Sequence, residues 1–511
     1  MLTSTVIKNK IISIDDYIAI TNTFNSHVRI VQCHGVFDLL HIGHIRHFKI
    51  AKTHGDILVV TITPDRYVNK GPNRPSFHET LRAEAIASLE YVDYVIINSW
   101  PTAVEVIKLI KPHVYVKGSE YQDEKNDITA KIQYEMNAVE LVGGKIAYTD
   151  DITFSSSTLL NQHYPSYPRE VHDYLGQFKT RYNSSSVFEF LEKAKNLNIL
   201  VVGETIIDIY HFSEVIGKSG KEPILAAKHK YKEKYVGGVL ALANHLSDFC
   251  KKVTCLTYLG EKAEFEDLIR TNLKPNVELV PIYKKESPTI VKRRYIEEYL
   301  QQKLFEVYEI NDDFLNTEQQ LECREKLTGL LKKNDLSIVA DYGHGLLNDD
   351  SVSTLINNAK FLAVNTQSNA SNHGFNCISK YIKADYISIA SRELQLNYRQ
   401  KHLSVFDQLK KLMLGMHYKT ALITTGKNGA YVCRNQEDIH TVPAFANSVV
   451  DRVGAGDAVL AITSLFAYFN APIELIGFIG NVVGAQAVGI MGNKSCIEKV
   501  SLMKHIFHLL Q

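Results

Sequence analysis

Short apolar runs rich in β-branched residues alternate with segments of helical period along almost the whole chain, and this alternation limits the folds open to it. Strands buried on both faces, with helices between them, are typical of parallel sheets. The sequence therefore predicts an α/β protein. The runs are Val28–Gln32, Ile57–Ile62, Tyr94–Ile97, Val114–Val116, Ile199–Val202, Ile338–Ala340, Phe361–Val364, Tyr386–Ile389 and Ala421–Thr424.

The pattern is interrupted once, between residues 162 and 196. This stretch contains prolines, a serine run and two helix-like pieces, but no strand pattern. Because 511 residues are too many for one ordinary domain, we interpret 162–196 as a helical linker between a domain at 1–161 and a domain at 197–511. The alternative, a peripheral helical layer of one large domain, stays open.

Charge and cysteine usage limit the partners and the compartment. Lys plus Arg number 57 against 56 for Asp plus Glu, so no bulk field attracts nucleic acid or a membrane surface. The seven cysteines are scattered without a CxxC pair, which indicates reduced thiols. The N-terminus lacks the apolar core of a signal peptide, and no apolar run is long enough to span a bilayer. We expect a cytoplasmic protein that acts on small molecules.

The first candidate site follows the first apolar run. A strand is predicted to end near Cys33, a turn with Gly35 follows, and a helix begins near His41 and His44. A strand, a glycine turn and a helix start favour phosphate, because backbone N–H groups and the helix dipole converge there. Histidines three residues apart share one helical face and can donate hydrogen bonds to a phosphate under attack. The alternatives are surface histidines or a pair of metal ligands.

The segment from Gly35 to Lys52, GVFDLLHIGHIRHFKIAK, resembles the cytidylyltransferase-like family of nucleotidyltransferases. Three later segments fit in the same order: Lys70–Pro75 followed by Arg82, Pro112–Tyr121, and Phe154–Thr158. The resemblance implies a small Rossmann-like domain in which His41 and His44 stabilise the transition state at the α-phosphate. It implies nucleotide or phosphate contacts, and for Lys117 a catalytic part as well, at Gly35, Phe37, Lys70, Arg82, Lys117, Ser156, Ser157 and Thr158.

The second candidate site lies near the C-terminus, where a turn of small residues opens directly into an apolar helix. Gly454 and Gly456 let several backbone N–H groups point at one anion. Asp457 follows at the helix start and can take the proton from an attacking hydroxyl. An aspartate that merely caps the helix is the alternative.

This segment resembles the signature of the ribokinase-like, or PfkB, carbohydrate kinases. Four earlier segments fit as well: Leu200–Asp208, Val236–Asn244, Ala340–Gly345 and Thr424–Ala430. The resemblance implies a ribokinase-like α/β sandwich in which Asp457 is the catalytic base and Glu393 handles Mg²⁺. It implies nucleotide contacts at Thr425, Gly426, Gly429, Gly454, Ala455 and Gly456, and sugar contacts at Asp208, Gly237, Gly238, Asn244 and Asp341.

Four positions depart from the kinase pattern and bear on the sugar and the metal. Ala241, Ala390 and Arg452 stand where the family has Asn, Asn and Thr, and His344 stands where heptose kinases have Lys. A polar run that includes Asn365, Gln367 and Asn369 follows a predicted strand. It either supplies polar contacts or is an ordinary strand-to-loop cap.

The two resemblances together imply a bifunctional enzyme of nucleotide-sugar synthesis. The bifunctional ADP-heptose enzyme has both domain types but carries its kinase first, so this chain is a relative with the order reversed. ATP, with CTP or ATP for the first domain, a sugar phosphate and Mg²⁺ are the expected small molecules. A small β lid is expected from 208–236 and 288–310, with homodimer formation through its edges. The alternatives are a CDP-polyol-type cytidylyltransferase fused to an unrelated kinase, and one catalytically silent, regulatory domain.

Overall fold

The computed structural model describes residues 10–25, 27–68, 74–118, 132–149, 167–400, 402–434 and 438–511. The chain divides into two compact units. One contains residues 1–168 and 500–511, and the other contains residues 169–499.

The first unit is built on a parallel sheet of five described strands in the order β3-β2-β1-β4-β5. This is the strand order of a Rossmann-like half, and it reverses between β1 and β4, where such sheets bind ligands. The strands are β1 (Ile30–Gly35), β2 (Ile57–Ile62), β3 (Tyr94–Ile97), β4 (Val114–Gly118) and β5 (Lys145–Thr149). The described helices before residue 168 are α1 (Ile14–Thr21), α2 (Ile42–Lys52), α3 (Glu79–Ala87), α4 (Val104–Ile110) and α5 (Ile132–Leu141).

The apolar runs form the two faces of this sheet. Strand side chains alternate between faces, so Val31 and Cys33 pack under α2 and α3, while Val59 and Tyr115 pack under α4 and α5. All four side chains are fully buried.

The second unit contains a nine-stranded sheet with the order β10-β9-β6-β13-β14-β15-β16-β17-β18. Its described strands from β10 to β16 are parallel, and β17 and β18 are antiparallel. The strands are β6 (Asn198–Gly203), β9 (Lys252–Gly260), β10 (Val277–Lys284), β13 (Leu336–Asp341), β14 (Leu362–Thr366), β15 (Lys383–Ala390), β16 (His417–Thr424), β17 (Ala430–Arg434) and β18 (Asp438–Val442).

A separate four-stranded sheet, with the order β12-β11-β7-β8, forms the predicted small lid. Its strands correspond to the predicted ranges 208–236 and 288–310. They are β7 (Thr205–Lys218), β8 (Leu225–Gly238), β11 (Ile290–Glu297) and β12 (Gln302–Glu309).

Helices cover the large sheet, and two of them come from the segment predicted as a linker. Phe178 of α6 stacks on Phe478 of α15, with ring centroids 4.4 Å apart. The helices α6 and α7 therefore pack on the second unit, while the boundaries at 161 and 196 stay a prediction. The helices of the second unit are α6 (Arg169–Lys179), α7 (Ser184–Lys193), α8 (Val239–Ser247), α9 (Glu266–Asn272), α10 (Thr317–Lys333), α11 (Asp349–Asn358), α12 (Ser391–Tyr398), α13 (Val405–Gly415), α14 (Ala455–Tyr468) and α15 (Ile473–Ala487). The last helix, α16 (Lys499–Leu510), lies in the segment 500–511 of the first unit except for its first residue.

Sequence explains the starts of these helices. Asn316 begins α10 with a capping box to Gln319, and Asn183 begins α7 in the same way with Ser186. By contrast α14 begins at Gly454, whose φ of 79° lies in the left-handed region that favours glycine. Among the described helices, none is both long and apolar enough to cross a lipid bilayer.

Candidate active sites

The first site begins at the carboxyl end of the central strand β1. Gly35 ends the strand, and Phe37 follows with a left-handed φ of 50°. The helix α2 then starts with His41 as its N-cap, where Nδ1 accepts a hydrogen bond of 3.1 Å from the N–H of Gly43. The predicted glycine turn and helix start therefore lie at the strand-order reversal of this sheet.

The cap fixes the tautomer of His41. Because Nδ1 accepts a backbone hydrogen, the neutral ring carries its own hydrogen on Nε2. Burial lowers the pKa of His41, which favours that neutral form. Nε2 is buried and has no hydrogen-bond partner among the described residues. The ring therefore holds one unused N–H donor.

The structure brings the two predicted histidines together. The rings of His41 and His44 stack with centroids 3.9 Å apart, and the edge of Phe37 meets His44 at 5.2 Å. Packing thus holds both imidazoles in one place at the start of α2.

Lys117 lies on β4, beside the turn, in an ion pair with Glu135. Their Nζ and Oε2 atoms are 2.8 Å apart and both side chains are about 10% exposed. Burial alone would raise the pKa of Glu135, but the ammonium of Lys117 lowers it below its usual value. The Tyr115 hydroxyl donates to the same carboxylate at 3.0 Å. Glu135 and Tyr115 therefore accompany Lys117, and neither was predicted.

Arg82 does not reach the open face of this site. It is 2% exposed, and its guanidinium donates to the carbonyls of Val36, Thr63 and Phe77 and to the carboxylate of Asp65. Arg82 thus ties α3 to the turn after β1, and its predicted phosphate contact stays a prediction. The KGxxRP spacing identifies Arg82, but it does not reveal that backbone carbonyls accept hydrogen bonds from its guanidinium.

Four further predicted residues of the first site, Lys70, Ser156, Ser157 and Thr158, lie outside the described residues.

The second site lies at the start of α14. Asp457 is in the first turn of this helix and is 6% exposed. Gln367 donates from Nε2 to its Oδ1 at 2.8 Å. Burial raises the pKa of Asp457 to about 7, and the carboxylates of Asp208 and Glu393 add to the rise. A pKa in this range is the one that a general base at neutral pH requires.

Asn493 joins the glycine turn to the predicted sugar-binding aspartate. Its Nδ2 donates to Asp208 at 3.2 Å, and a Cβ added to Gly454 would lie 2.2 Å from its Oδ1. Gly237 approaches the same carboxylate so closely that a Cβ there would lie 2.3 Å from Oδ2 of Asp208. Gly238 follows with a φ of 58°. The predicted Asp208, Gly237 and Gly454 are thus neighbours.

Asp208 is not a free carboxylate. Arg294 of the lid strand β11 donates to its Oδ1, and both side chains are almost fully buried. Lys292, two residues earlier on the same strand, is also buried, and burial lowers its pKa. The available signal was the run of three basic residues from Lys292 to Arg294, whose first and last members share one face of the strand.

Two predicted sugar contacts are occupied elsewhere. Asn244 donates to the carbonyl of Asn272 at 3.0 Å and accepts from the N–H of Lys274 at 3.1 Å. Asp341 accepts from the Lys380 ammonium and the Tyr381 hydroxyl, each at 2.8 Å. Internal donors and acceptors thus already use both side chains, and their roles as sugar contacts stay predictions.

The predicted nucleotide loop forms a tight turn. Thr425 donates from its N–H to the carbonyl of Gly429 at 2.8 Å, and Gly426 has a φ of 61°. A Cβ on Gly429 would lie 1.9 Å from the carbonyl oxygen of Val442. The backbone therefore requires glycine at this position, and Ala455 and Gly456 continue the other turn into α14.

Glu393 is the third residue of α12, and its carboxylate accepts hydrogen bonds from backbone N–H groups. Its Oε2 accepts from the N–H of Ala390 at 2.6 Å, and its Oε1 accepts from the N–H of Ser368 at 3.3 Å. Burial raises its pKa to about 7. The described residues contain no cluster of three or more His, Cys, Asp or Glu that could hold a metal ion.

The model of the pfkB family carbohydrate kinases matches residues 196–500, which is more than half of the chain. The chain belongs to the pfkB family. Within this pfkB chain, residues 33–166 match the model described as cytidylyltransferase-like. Both resemblances of the sequence are thereby confirmed, together with the two-domain α/β fold.

A solved structure supports the fold of the larger unit. The crystal structure of phosphofructokinase-2 from Escherichia coli in complex with potassium has a TM-score of 0.50 and 16% identity. The match covers 62% of this pfkB chain and 100% of that chain. At this identity the likeness concerns the fold alone.

Curated relatives of this pfkB chain resemble only part of it. The bifunctional protein HldE of Aliarcobacter butzleri strain RM4018 is 43% identical over 119 residues, which are 23% of this chain and 25% of that protein. The bifunctional protein HldE of Methylobacillus flagellatus is 37% identical over 153 residues, which are 29% of this chain and 30% of that protein. The chain thus spans about a quarter to a third of these relatives.

Proposed function

We propose that this chain is a bifunctional enzyme of nucleotide-sugar synthesis of the ADP-heptose type. The pfkB domain phosphorylates a sugar or sugar phosphate with ATP. The cytidylyltransferase-like domain transfers a nucleotidyl group from CTP or ATP to a sugar phosphate and releases pyrophosphate. The relatives named bifunctional protein HldE support this pairing of activities.

The observation that carries the kinase proposal is the buried Asp457 beside the Gly454 turn. The acceptor hydroxyl loses its proton to Asp457 as its oxygen bonds the γ-phosphorus, and the bond from that phosphorus to the departing ADP breaks. Backbone N–H groups of the turn favour the transferring phosphoryl group. A base with a pKa of about 7 matches this proton transfer at neutral pH.

The proposal for the first domain rests on the unused Nε2–H of His41. An oxygen of the sugar phosphate attacks the α-phosphorus, and the bond to the pyrophosphate oxygen breaks. A neutral N–H donor stabilises negative charge that builds up on the α-phosphate without attracting a competing anion as a cation would. Stacking on His44 holds the ring in place for that donation.

Mg²⁺ is the metal expected for both reactions, where it neutralises charge on the nucleotide phosphates. Mg²⁺ commonly binds through one or two carboxylates together with substrate phosphates. Glu393 fits this limited requirement, because two backbone N–H groups leave lone pairs on its carboxylate. We therefore propose Glu393 as the residue that would hold the ion, directly or through water.

A kinase with an altered acceptor, or a silent kinase, is the second candidate. The observation that favours it is that Asn244 and Asp341 are engaged internally, while Asp208 is paired with Arg294. An acceptor would then meet a different set of side chains from the one that the family pattern implies. ADP release above the ATP-only rate separates an active kinase from a silent one.

The wider setting is also proposed. Both reactions use free nucleotides, so we place the protein in the cytoplasm with small-molecule partners. The lid strands β8 and β12 lie at the edges of their sheet, and edge strands offer unpaired backbone groups to a second copy. We propose a homodimer formed through these edges, which sedimentation of the full-length chain would test.

The proposal is tested with the full-length chain, Mg²⁺, a panel of sugars and sugar phosphates, and each NTP in turn. ADP and pyrophosphate are measured separately in every reaction. At least one acceptor should raise ADP release and at least one sugar phosphate should raise pyrophosphate release. If neither product rises with any pair, the proposed function is wrong.

A further inference from the structure

The loop that follows β14 contributes a side chain to the kinase base. Gln367 is the first residue after this strand, and its Nε2 lies 2.8 Å from Oδ1 of Asp457. The two residues are 90 positions apart in the chain. The contact therefore depends on the fold, and it joins the end of a central strand to the start of α14.

The backbone of Gln367 is held on both sides. Its N–H donates to the carbonyl of Asp341 at 2.9 Å, and its carbonyl accepts from Asn376 at 3.4 Å. The next N–H, that of Ser368, donates to Glu393 at 3.3 Å. Because the backbone is fixed, the side-chain amide reaches Asp457 from one direction only.

Asp341 and Glu393, two of the predicted site residues, both hold the backbone around Gln367. Neither carboxylate contacts Asp457 through a hydrogen bond that the structure describes, but each holds the short segment that carries Gln367. Asp341 accepts from Asn376 at 3.1 Å, and Asn376 in turn binds the Gln367 carbonyl. The network ends at the base.

The geometry points to Gln367 as a positioning residue for Asp457, an inference that rests on the proposed kinase function. One amide donor on Oδ1 fixes the plane of the carboxylate. A carboxylate has about four lone-pair positions, so the amide of Gln367 and the nearby hydroxyl of Tyr342 leave room for the proton of the acceptor hydroxyl. A wrongly rotated base would lose this alignment, because proton transfer requires hydrogen-bond geometry.

The electrostatic surroundings explain why a neutral donor stands here. Burial and the charges of Asp208 and Glu393 raise the pKa of Asp457, whereas hydrogen bonds from the Tyr342 hydroxyl and the Gln367 amide lower it. The two carboxylates and burial favour the protonated form, which cannot act as a base. A hydrogen bond from an amide favours the ionised form without adding a cation that would bind phosphate in place of the substrate.

The test compares Gln367→Met with wild type in the full-length chain, using ATP and the acceptor that gives the most ADP. Methionine keeps the length of the side chain but cannot donate. We expect kcat to fall about tenfold or more, with the KM for ATP changed less than twofold. We also expect the acidic limb of the kcat profile to move to higher pH, because a donor that favours the ionised base is lost.

Gln408→Met is the matched control. Gln408 is a buried glutamine of α13 whose amide donates to the carbonyls of Gln400 and Leu403. Its loss costs stability but should leave the acidic limb in place. Gln367→Glu, which keeps the shape and adds a negative charge beside Asp457, should move the limb further than methionine does.

Wild type and Asp457→Asn are assayed in the same series. Absent ADP release in wild type overturns the kinase function and this inference together. If wild type is active and Asp457→Asn is not, an unshifted acidic limb in both folded Gln367 variants overturns the inference alone. A shift shared equally by Gln408→Met would assign the effect to stability and would also overturn it.

Discussion

At the scale of single residues, both candidate sites use polar groups whose protonation the fold has set. His41 is neutral because burial lowers its pKa and because its Nδ1 already accepts a backbone hydrogen. Burial, with the charges of Asp208 and Glu393, raises the pKa of Asp457 to about 7. The proposed function uses His41 as a hydrogen-bond donor and Asp457 as a base.

The pKa of Asp457 makes a prediction about stability and pH. A carboxyl whose pKa is higher in the folded state binds more protons folded than unfolded, so it stabilises below its unfolded pKa and that contribution is lost as pH rises through about 7. Asp457→Asn should therefore raise the free energy of unfolding at pH 8 by at least ~1 kcal/mol. Thermal unfolding followed by circular dichroism should show the gain shrinking toward pH 5. A gain of equal size at both pH values would contradict the assignment.

At the scale of elements, the sequence predicted the main framework and the turns well. Buried strands and glycine turns depend on local patterns, so β1, the Gly35 turn, Gly429 and the start of α14 could be found without coordinates. Side-chain partners far apart in the chain could not. No local sequence pattern predicts that Asn244 accepts a hydrogen bond from Lys274, or that Gln367 donates one to Asp457.

Arg82 illustrates the same limit and gives a prediction for the turn after β1. Arg82→Ala removes the donors of three backbone carbonyls and the partner of Asp65. We expect a loss on the order of 2–4 kcal/mol in the stability of the first unit, because buried acceptors stay unsatisfied. Trp100 is the single tryptophan of the chain, so its fluorescence in urea reports on this unit.

The exposed Arg66 provides the control for that measurement. Its one described hydrogen bond goes to the carbonyl of Ser99, and surface substitutions of this kind usually change stability by less than about 0.5 kcal/mol. Arg66→Ala should therefore leave the Trp100 transition in place. If Arg82→Ala also left this transition unchanged, the hydrogen bonds of Arg82 would contribute little to the stability of the first unit.

At the scale of the whole molecule, the two-domain organisation follows from the sequence, but the edge of the second unit does not. The segment 162–196 has no strand pattern, and polar helices of a linker resemble amphipathic helices of a surface layer. The helix α6 packs as part of a surface layer, because its Phe178 stacks on Phe478 of the second unit. A fragment that begins at residue 196 would leave this aromatic face uncovered.

This packing predicts how the chain can be divided. A fragment of residues 169–499, which is the whole second unit, should fold and release ADP within a few-fold of the full-length rate, without pyrophosphate release. A fragment of residues 196–499 should be less stable, because aromatic side chains such as Phe478 lose their cover. Thermal unfolding of the two fragments is the measurement. Equal stability of both would contradict the role given to α6 and α7.

We propose that one chain holds two separate chemical sites, one at His41 and one at Asp457. The most direct test measures pyrophosphate and ADP release side by side for wild type, His41→Ala and Asp457→Asn, with the exposed His27→Ala as control. His41→Ala should lose about a hundredfold or more in pyrophosphate release and keep its ADP release. Asp457→Asn should lose ADP release by about 10²–10⁴ and keep pyrophosphate release. If either variant kept both activities, or if each lost both while still folded, the account of two sites would be contradicted.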